Sequence, residues 1–258
     1  MSIFLILAFL FFIGSMFGWC LELVFRKFFS SANPNHKWIN PGFLVGPYVP
    51  LYGFGLCILY LIAEAEKFRF IGNTAADKAL LFIIMAICMT VIEYIAGILL
   101  LKIFNVRLWD YSKEWANLNG LICPKFSFFW ALLGAFYYFA IHSHILNALN
   151  WLSQNLVFSF VIGMFYGIFI IDFSYSTNLA VKIKSFAKDN DIIVKYEQFK
   201  SDIQRFHEKN ALKTHFLLSM HSSRSLKENL QHYYNHALER QQLERAFRHR
   251  KNRKENQI

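Results

Sequence analysis

Two glutamates inside apolar segments are the residues best suited to chemistry in this sequence. Glu22 lies near the end of an apolar segment over residues 3–25, and Glu93 lies beyond the midpoint of another over residues 79–101. A carboxylate costs about 2.5–3.5 kcal/mol at the centre of a membrane span, so it usually faces the interior of a helix bundle. Both glutamates are therefore candidates for a polar path. The alternatives are a structural hydrogen bond and, for Glu22, an ion pair with Arg26.

The stretch from Trp38 to Gly55 is the second unusual feature. It holds three of the five prolines and four of the twelve glycines. From Phe43 onward it is apolar and uncharged, yet its Pro and Gly content prevents a regular helix at the start. Irregular backbone at membrane depth needs protein or a water-filled cavity around it. The stretch predicts either a shaped entry to a site, with Asn40 and Gly42 as candidates, or a tight packing turn.

A polar and aromatic cluster lies in the loop between two later segments. It consists of Trp109, Asp110, Tyr111, Ser112, Asn117 and Asn119. Such a set is suited to binding a lipid headgroup or a polar solute. The alternative is an interfacial aromatic anchor in which the aspartate caps a short helix.

Two parts of the chain repeat one another weakly. The segment with Glu22 is followed by an Asn-Pro-Gly run at residues 40–42, then by Pro47 and an aromatic-rich span. The segment with Glu93 is followed by Asn-Leu-Asn-Gly at residues 117–120, then by proline and a second aromatic-rich span. A parallel repeat about an axis along the membrane normal is one plan of transport proteins. Chance similarity of short loops is the alternative.

The charges divide the chain into a membrane part and a basic tail. Residues 1–180 carry ten Lys/Arg and eight Asp/Glu, and residues 181–258 carry 17 and nine. Charged residues are only 17% of the chain, below the roughly 25% of soluble domains. We predict an all-α fold, in which a transmembrane helix bundle of about five spans (1–180) precedes a basic helical cytoplasmic tail (181–258). The residues from 126 to 171, which lack Asp, Glu, Lys and Arg, form the last two spans, with a break at 142–155.

The distribution of basic residues predicts one orientation. Cytoplasmic loops of membrane proteins carry an excess of Lys and Arg, so the tail lies in the cytoplasm. Five spans then leave the N-terminus outside. The loops at 26–42 and 102–125 fall inside, while the near-neutral loop at 64–78 and the uncharged one at 142–155 fall outside. We expect the location to be the inner membrane of a bacterial cell.

The tail contains two apolar stripes at helical spacing, one from Ile192 to Phe206 and one from Leu226 to Ala237. We favour a helical pair that packs on itself, and self-association through the tail is the alternative. The end of the tail holds six basic residues in ten, which predicts contact with anionic lipid headgroups. These residues are Arg245, Arg248, Arg250, Lys251, Arg253 and Lys254.

Signatures of soluble enzymes are absent from the sequence. It contains no G-x-x-x-x-G-K-[ST], H-E-x-x-H or G-x-S-x-G motif. The four cysteines form no C-x-x-C pair and read as reduced thiols, and His232 with His236 lacks a third ligand. We therefore expect no cofactor, no metal site, no catalytic residue and no specific nucleic acid.

An ordered set of motifs over residues 10–175 resembles a known family. The motifs are Gly18-Trp19-Cys20-Leu21-Glu22, Asn40-Pro41-Gly42-Phe43-Leu44 with Gly46-Pro47 and Pro50-Leu51-Tyr52-Gly53, Glu93-Tyr94, Trp109-Asp110-Tyr111-Ser112, Asn117-Leu118-Asn119-Gly120, Ile122-Cys123 and Trp130. The set is similar to the bacterial family labelled "putative ABC-transporter type IV (CmpB-like)". The resemblance implies a transport permease, but it implies neither a substrate nor a set of functional residues.

Three functional hypotheses follow. The favoured one is a transporter permease component, with a polar site in the cytoplasmic half of the membrane and with lipids and a separate ATPase subunit as partners. The second is a membrane-embedded enzyme acting on lipid-linked or small polar substrates, with Glu93 or Asp110 as general base. The third is a scaffold or sensor acting through the tail.

Overall fold

The computed structural model describes residues 1–30, 33, 36–66, 74–209 and 225–255. Within these ranges the protein is almost entirely helical, which confirms the predicted all-α class. The α-helices are α1 (Ile3–Phe28), α2 (Pro50–Ala65), α3 (Thr74–Phe104), α4 (Pro124–Phe136), α5 (His142–Gln154), α6 (Ser159–Asp189), α7 (Tyr196–Lys209) and α8 (Leu226–Glu255). Two short strands, β1 (Val106–Arg107) and β2 (Val194–Lys195), form one parallel pair.

Among the described residues, four helical segments are long and apolar enough to cross a membrane. They are Ile3–Phe28, Ala76–Phe104, Pro124–Gln154 and Leu156–Asp189. Helix α2 is also apolar, but its 16 residues rise only about 24 Å, less than the roughly 30 Å of a hydrocarbon core. Helix α2 begins at Pro50, in agreement with the prediction that residues 43–50 enter as irregular backbone. Pro is well suited to that first helical position because it needs no N–H partner there.

Helices α1 and α2 approach closely through small residues. A Cβ atom on Gly18 would lie 2.2 Å from the Tyr52 side chain, and one on Gly14 would lie 2.9 Å from the Tyr52 carbonyl oxygen. A Cβ atom on Gly53 would lie 2.2 Å from Ser15 Oγ in the opposite direction. Gly14 and Gly18 form the small-x-x-x-small spacing that lets membrane helices pack backbone to backbone. The α1–α2 hairpin is therefore a rigid support for the side chains at the C-terminal end of α1 and the N-terminal end of α2.

The prediction of a loop at residues 142–155 is wrong, because most of these residues are helical. A π-helical turn at Tyr137–Ile141 joins α4 to α5 without a break, and the chain reverses only after Gln154. The polar ring of His142 is satisfied within the bundle: its Nδ1 lies 2.9 Å from the Tyr137 hydroxyl, and its Nε2 lies 3.7 Å from a Glu64 carboxylate oxygen. These two partners allow His142 to lie in a helix of the bundle instead of in a water-exposed loop.

The tail packs on itself and on the membrane part. Helix α6 runs across residues 180 and 181 as one helix, and β2 pairs with β1, which directly follows α3. The apolar stripe on α7 is buried through Phe199 and Ile203, and α8 contributes Leu230 and Tyr233 to the same core. The predicted packing of the tail helices on each other is therefore confirmed for the described residues.

Candidate functional site

Glu93 lies on α3 and is 3% exposed. Its carboxylate accepts hydrogen bonds from the Trp130 indole nitrogen at 2.9 Å and from the Tyr111 hydroxyl at 3.1 Å. Both donors are neutral groups, and no basic side chain in the described part of the chain pairs with Glu93. A buried carboxylate in that position retains affinity for a proton or for a positively charged group.

Glu22 lies near the end of α1 and has a different environment. One carboxylate oxygen accepts from the Tyr52 hydroxyl at 2.8 Å, and the other accepts from Arg26 Nε and Nη2 at 2.9 Å each. The guanidinium also donates from Nη1 to Glu197 on α7 at 2.7 Å. The ion pair expected as an alternative for Glu22 is therefore present, but it includes a second carboxylate from the tail.

The two glutamates belong to one connected group. The rings of Tyr52 and Trp130, which donate to Glu22 and Glu93, lie 5.5 Å apart between centroids. Tyr111 stacks on Phe126 with a centroid distance of 4.2 Å, which fixes the hydroxyl that points to Glu93. We call this group the carboxylate cluster: Glu22, Arg26, Tyr52, Glu93, Tyr111, Trp130 and Glu197. It contains three carboxylates and one guanidinium.

The two halves of the cluster have the same design. In each half a carboxylate on the first helix of a hairpin accepts from an aromatic donor on the second helix, Tyr52 for Glu22 and Trp130 for Glu93. In each half the loop contains a glycine with positive φ, +79° at residue 42 and +67° at residue 120, and the second helix starts at a proline. These shared features agree with the repeat predicted from the sequence.

The residues from Gly42 to Val49 are held by Asp172 of α6. The carboxylate accepts from the backbone N–H groups of Val45 at 3.1 Å and Gly46 at 2.7 Å, and from the Tyr48 hydroxyl at 2.6 Å. A fourth donor is the Ser176 hydroxyl at 2.9 Å. The irregular backbone therefore finds its partners in protein, as membrane depth requires. The sequence alone gives no sign of this role of Asp172.

Asn40 and Gly42 support the same stretch. The Asn40 side chain accepts from the Trp19 indole nitrogen at 2.7 Å and donates to the Val45 carbonyl at 2.7 Å. The Asn40 and Gly42 carbonyl oxygens each accept from the Lys200 ammonium of α7 at 3.0 Å. Both residues thus shape the loop and border the tail, whereas the carboxylate cluster is built by other residues.

The predicted cluster at residues 109–119 divides into separate contacts. Asp110 pairs with Lys195 at 2.6 Å and with Arg107 at 2.9 Å. Although burial alone would raise it, hydrogen bonds from Lys195 and Ser112 bring the pKa of Asp110 well below its ordinary range. An aspartate held in this way is a poor general base. Burial and the charge of Glu93 raise the pKa of Tyr111 above its ordinary value, so it stays a neutral donor.

The other members of that cluster fold the loop. The Trp109 indole nitrogen donates to the Leu121 carbonyl at 2.8 Å. Asn117 donates to the Glu114 carbonyl at 2.8 Å and accepts from the Gly120 N–H at 3.0 Å. Asn119 donates to the Tyr94 hydroxyl at 3.0 Å. Of the six residues in the predicted cluster, only Tyr111 donates a hydrogen bond to a glutamate of the carboxylate cluster.

The described residues contain no group of three His, Cys, Asp or Glu side chains that could hold a metal ion. The rings of His232 and His236 lie 4.4 Å apart on α8. The side chains of the six basic residues expected to contact lipid headgroups, from Arg245 to Lys254, lie outside the described part of the chain. That expectation stays a prediction.

The sequence did not identify Tyr52 and Trp130 as the donors to Glu22 and Glu93. It also did not identify Glu197 and Lys200 as tail residues that contact the membrane part. Tyr52 and Trp130 stand in the quoted motifs, and their position after a proline in two similar hairpins was the available signal. Glu197 and Lys200 lie on the polar face of an amphipathic helix, where charged residues are ordinarily solvated. Nothing local in the sequence distinguishes them from their neighbours.

Comparison with known proteins supports the assignment of the fold to a family. No curated protein and no solved structure matches the chain. A family model described as "Putative ABC-transporter type IV" matches residues 9–177, which include the hairpins, both glutamates of the membrane part and Asp172. The long apolar helices of the chain agree with a membrane protein. Because the match covers more than half of the chain, the protein belongs to this family of transporter-like membrane proteins.

Proposed function

We propose that this chain is a permease component of a transport system in the bacterial inner membrane, and that the carboxylate cluster binds a positively charged solute. The observation that carries the proposal is the environment of Glu93, a buried carboxylate that accepts only from a phenol and an indole. The other two carboxylates of the cluster, Glu22 and Glu197, share one guanidinium, that of Arg26. The cluster therefore has an excess of negative charge when its carboxylates are ionised.

Physical chemistry limits what such a cluster does. An ionised carboxylate in an apolar bundle is costly, and a cation or a proton reduces that cost. Aromatic rings beside the carboxylates favour a cation further, since the face of a Trp or Tyr ring attracts positive charge. Trp130 and Tyr52 are adjacent rings at that position. A solute with an ammonium group is suited to both features.

The orientation and the partner complete the proposal. The basic tail favours a cytoplasmic position for α7 and α8, which puts the carboxylate cluster in the inner half of the membrane. The chain has no nucleotide-binding loop, so a separate ATPase subunit supplies the energy. The enzyme alternative is less favoured because Asp110 is bound by Lys195 and Arg107.

Ligand-dependent stability of the purified protein tests the cation site. Full-length protein in detergent is heated with sodium, potassium, ammonium, choline or spermidine chloride at one ionic strength. We expect at least one cation to raise the midpoint of unfolding, because a ligand that binds only the folded state stabilises it. Glu93→Gln should abolish this shift. Glu114→Gln, which changes a partly exposed glutamate paired with Lys125, should keep it.

Two results would contradict the proposal. A midpoint that no cation moves would remove the proposed ligand class. A shift that persists in Glu93→Gln would place the cation elsewhere. The partner is tested separately by purifying the tagged full-length chain from native membranes, where an ATPase subunit should co-purify. A preparation without any nucleotide-binding protein would contradict the permease role.

A further inference from the structure

Helix α7 of the tail is bound to the membrane part by polar contacts. The Lys200 ammonium donates to the carbonyl oxygens of Asn40 and Gly42 at 3.0 Å each, and Lys200 is 4% exposed. The Tyr196 hydroxyl donates to the Phe43 carbonyl at 3.4 Å. Three carbonyl groups of the irregular stretch before α2 are therefore occupied by one face of α7.

The same face of α7 reaches the end of α1. Glu197 accepts from Arg26 Nη1 at 2.7 Å and from the Ser30 hydroxyl at 2.7 Å. The side chains of Arg26 and Glu197 are 8% and 10% exposed, so water screens the pair little. A charge pair of this kind is costly to break on one side, because the remaining charge stays buried.

Arg26 connects this contact to the carboxylate cluster. Its guanidinium is shared between Glu197 of the tail and Glu22 of the membrane part. Glu22 in turn accepts from Tyr52, whose ring lies beside Trp130, the donor to Glu93. A continuous series of contacts therefore joins the tail to both intramembrane glutamates.

A second connection runs through the short strands. Lys195 on β2 pairs with Asp110 at 2.6 Å, and β2 pairs with β1 in the register Val106 to Val194. Tyr111, the next residue after Asp110, donates to Glu93. The segment that leads into α7 is thus attached to the loop that supplies one of the two donors to Glu93.

We propose that α7 is a clamp that docks on Arg26, Ser30 and residues 40–43. Docking of α7 and binding of a cation at the carboxylate cluster regulate each other through Arg26. The inference rests on the proposed function for its ligand. A cation at the cluster competes with Arg26 for Glu22 and leaves the guanidinium to Glu197, which tightens the docking of α7. By linkage, a docked α7 holds Arg26 toward Glu197 and strengthens cation binding by the same factor.

Docking is measured by the accessibility of a residue that α7 covers. Ile39 is 3% exposed and lines a shallow depression at this junction. The other lining residues are Arg26, Asn40, Gly42, Leu108, Tyr196, Glu197 and Lys200. In full-length protein whose four native cysteines are changed to alanine, Ile39→Cys should react slowly with a maleimide reagent. Its rate reports how often α7 leaves this position.

Substitutions at the anchors should raise that rate. Lys200→Gln and Glu197→Gln each remove contacts of a charged group, so each should accelerate labelling by about tenfold or more. Lys188→Gln is the matched control, since Lys188 is exposed on α6, and it should leave the rate unchanged. Unchanged labelling in both anchor variants would overturn the clamp. Circular dichroism at the labelling temperature distinguishes local release from loss of fold, and acceleration caused by a lost fold would also count against it.

The connection through Arg26 has its own test. Glu22→Gln and Glu197→Gln should be non-additive in labelling rate, because both act on one guanidinium. The cation identified by the stability assay should slow labelling in the parent protein and should do so less in Glu197→Gln. Additive rates would refute the connection. A cation that raises the unfolding midpoint but leaves the labelling rate unchanged would refute the linkage and leave the proposed function standing. If no cation has an effect in either assay, the proposed function fails, and only the docking of α7 on the membrane part remains.

Discussion

Replacing Asp172 by asparagine tests how the stretch before α2 is held. The carboxylate accepts four hydrogen bonds, two at each oxygen, from Val45, Gly46, Tyr48 and Ser176. Asparagine keeps one oxygen and turns an amide NH₂ group toward the donors that faced the other. The substitution therefore removes at least two hydrogen bonds to a charged acceptor, which contribute about 1.5–3 kcal/mol each.

The expected loss is about 3 kcal/mol or more of the free energy of unfolding. For a chain of this size, 1 kcal/mol corresponds to about 2–4 °C in the unfolding midpoint, so Asp172→Asn should lower the midpoint by about 6 °C or more. The assay is thermal unfolding of the purified protein in detergent, followed by tryptophan fluorescence. Tyr48→Phe removes one of the four donors and should have a smaller effect.

A matched serine control separates this network from general effects of substitution on α6. Ser174 is exposed and donates only to the carbonyl of Ile170 in its own helix, at 2.9 Å. Ser174→Ala should leave the midpoint unchanged. An unfolding midpoint of Asp172→Asn within about 1 °C of the parent's midpoint would refute this reasoning. A larger loss of stability in Tyr48→Phe than in Asp172→Asn would also refute it.

Three further predictions concern packing, pH and the tail. Gly18→Val should abolish assembly of the α1–α2 hairpin, whereas Gly163→Ala, where a Cβ atom meets nothing within 4 Å, should be neutral in thermal unfolding. Burial, with the charge of the adjacent guanidinium, lowers the pKa of Lys200 from 10.5 to about 7. The undocked state then binds more protons between these pH values, so docking should strengthen as pH rises from 7 to 10.5. Because the thiol itself becomes more reactive as pH rises, the measurement is the labelling rate of Ile39→Cys divided by its rate in the Lys200→Met background, and this ratio should fall with pH. A ratio that does not change with pH would contradict the prediction. Phe199→Ala should destabilise the tail core by about 3–5 kcal/mol, whereas Leu238→Ala, at an exposed position, should cost about 0.5 kcal/mol or less in denaturant unfolding.

The pH prediction depends on the charges that surround Lys200. Its ammonium faces Arg26 of α1, which lowers the pKa further, and Glu197 of its own helix and Asp172 of α6, which raise it. The ring of Tyr196 lies 4.7 Å from the nitrogen, and burial raises the pKa of that tyrosine above its ordinary value, so it carries no charge in this window. The comparison with Lys200→Met isolates the lysine from these neighbours.

Features that depend on neighbouring residues were predictable from the sequence. Gly42 and Pro50 fix where the irregular stretch turns and where α2 begins, because left-handed backbone favours glycine and a helix start tolerates proline. The cost of a carboxylate in a span identified Glu22 and Glu93 before any neighbour was known. The two apolar stripes of the tail predicted that their helices pack on each other, since each apolar face must be shielded from water.

Features that depend on distant partners were not predictable. Asp172 meets residues more than 120 positions earlier in the chain, and Glu197 meets Arg26 across 171 positions. Each reads locally as an ordinary charged residue. The wrong prediction of a loop at residues 142–155 has the same origin. His142 suggests a polar loop, but in the structure its ring lies beside Tyr137 and Glu64. Burial by a remote segment leaves no local pattern in sequence.

The pairing of β1 with β2 has a consequence for how the protein is made. Val106 leaves the ribosome 88 residues before Val194, its partner in the strand pair. At roughly 5–20 residues per second, the loop after α3 waits on the order of 10 s for its partner strand. The loop after α3 is therefore still unpaired while α4, α5 and α6 are made, and β2 follows them to complete the strand pair. A chain truncated before residue 190 would retain helices α1 to α6 and still lack β2, the partner of β1.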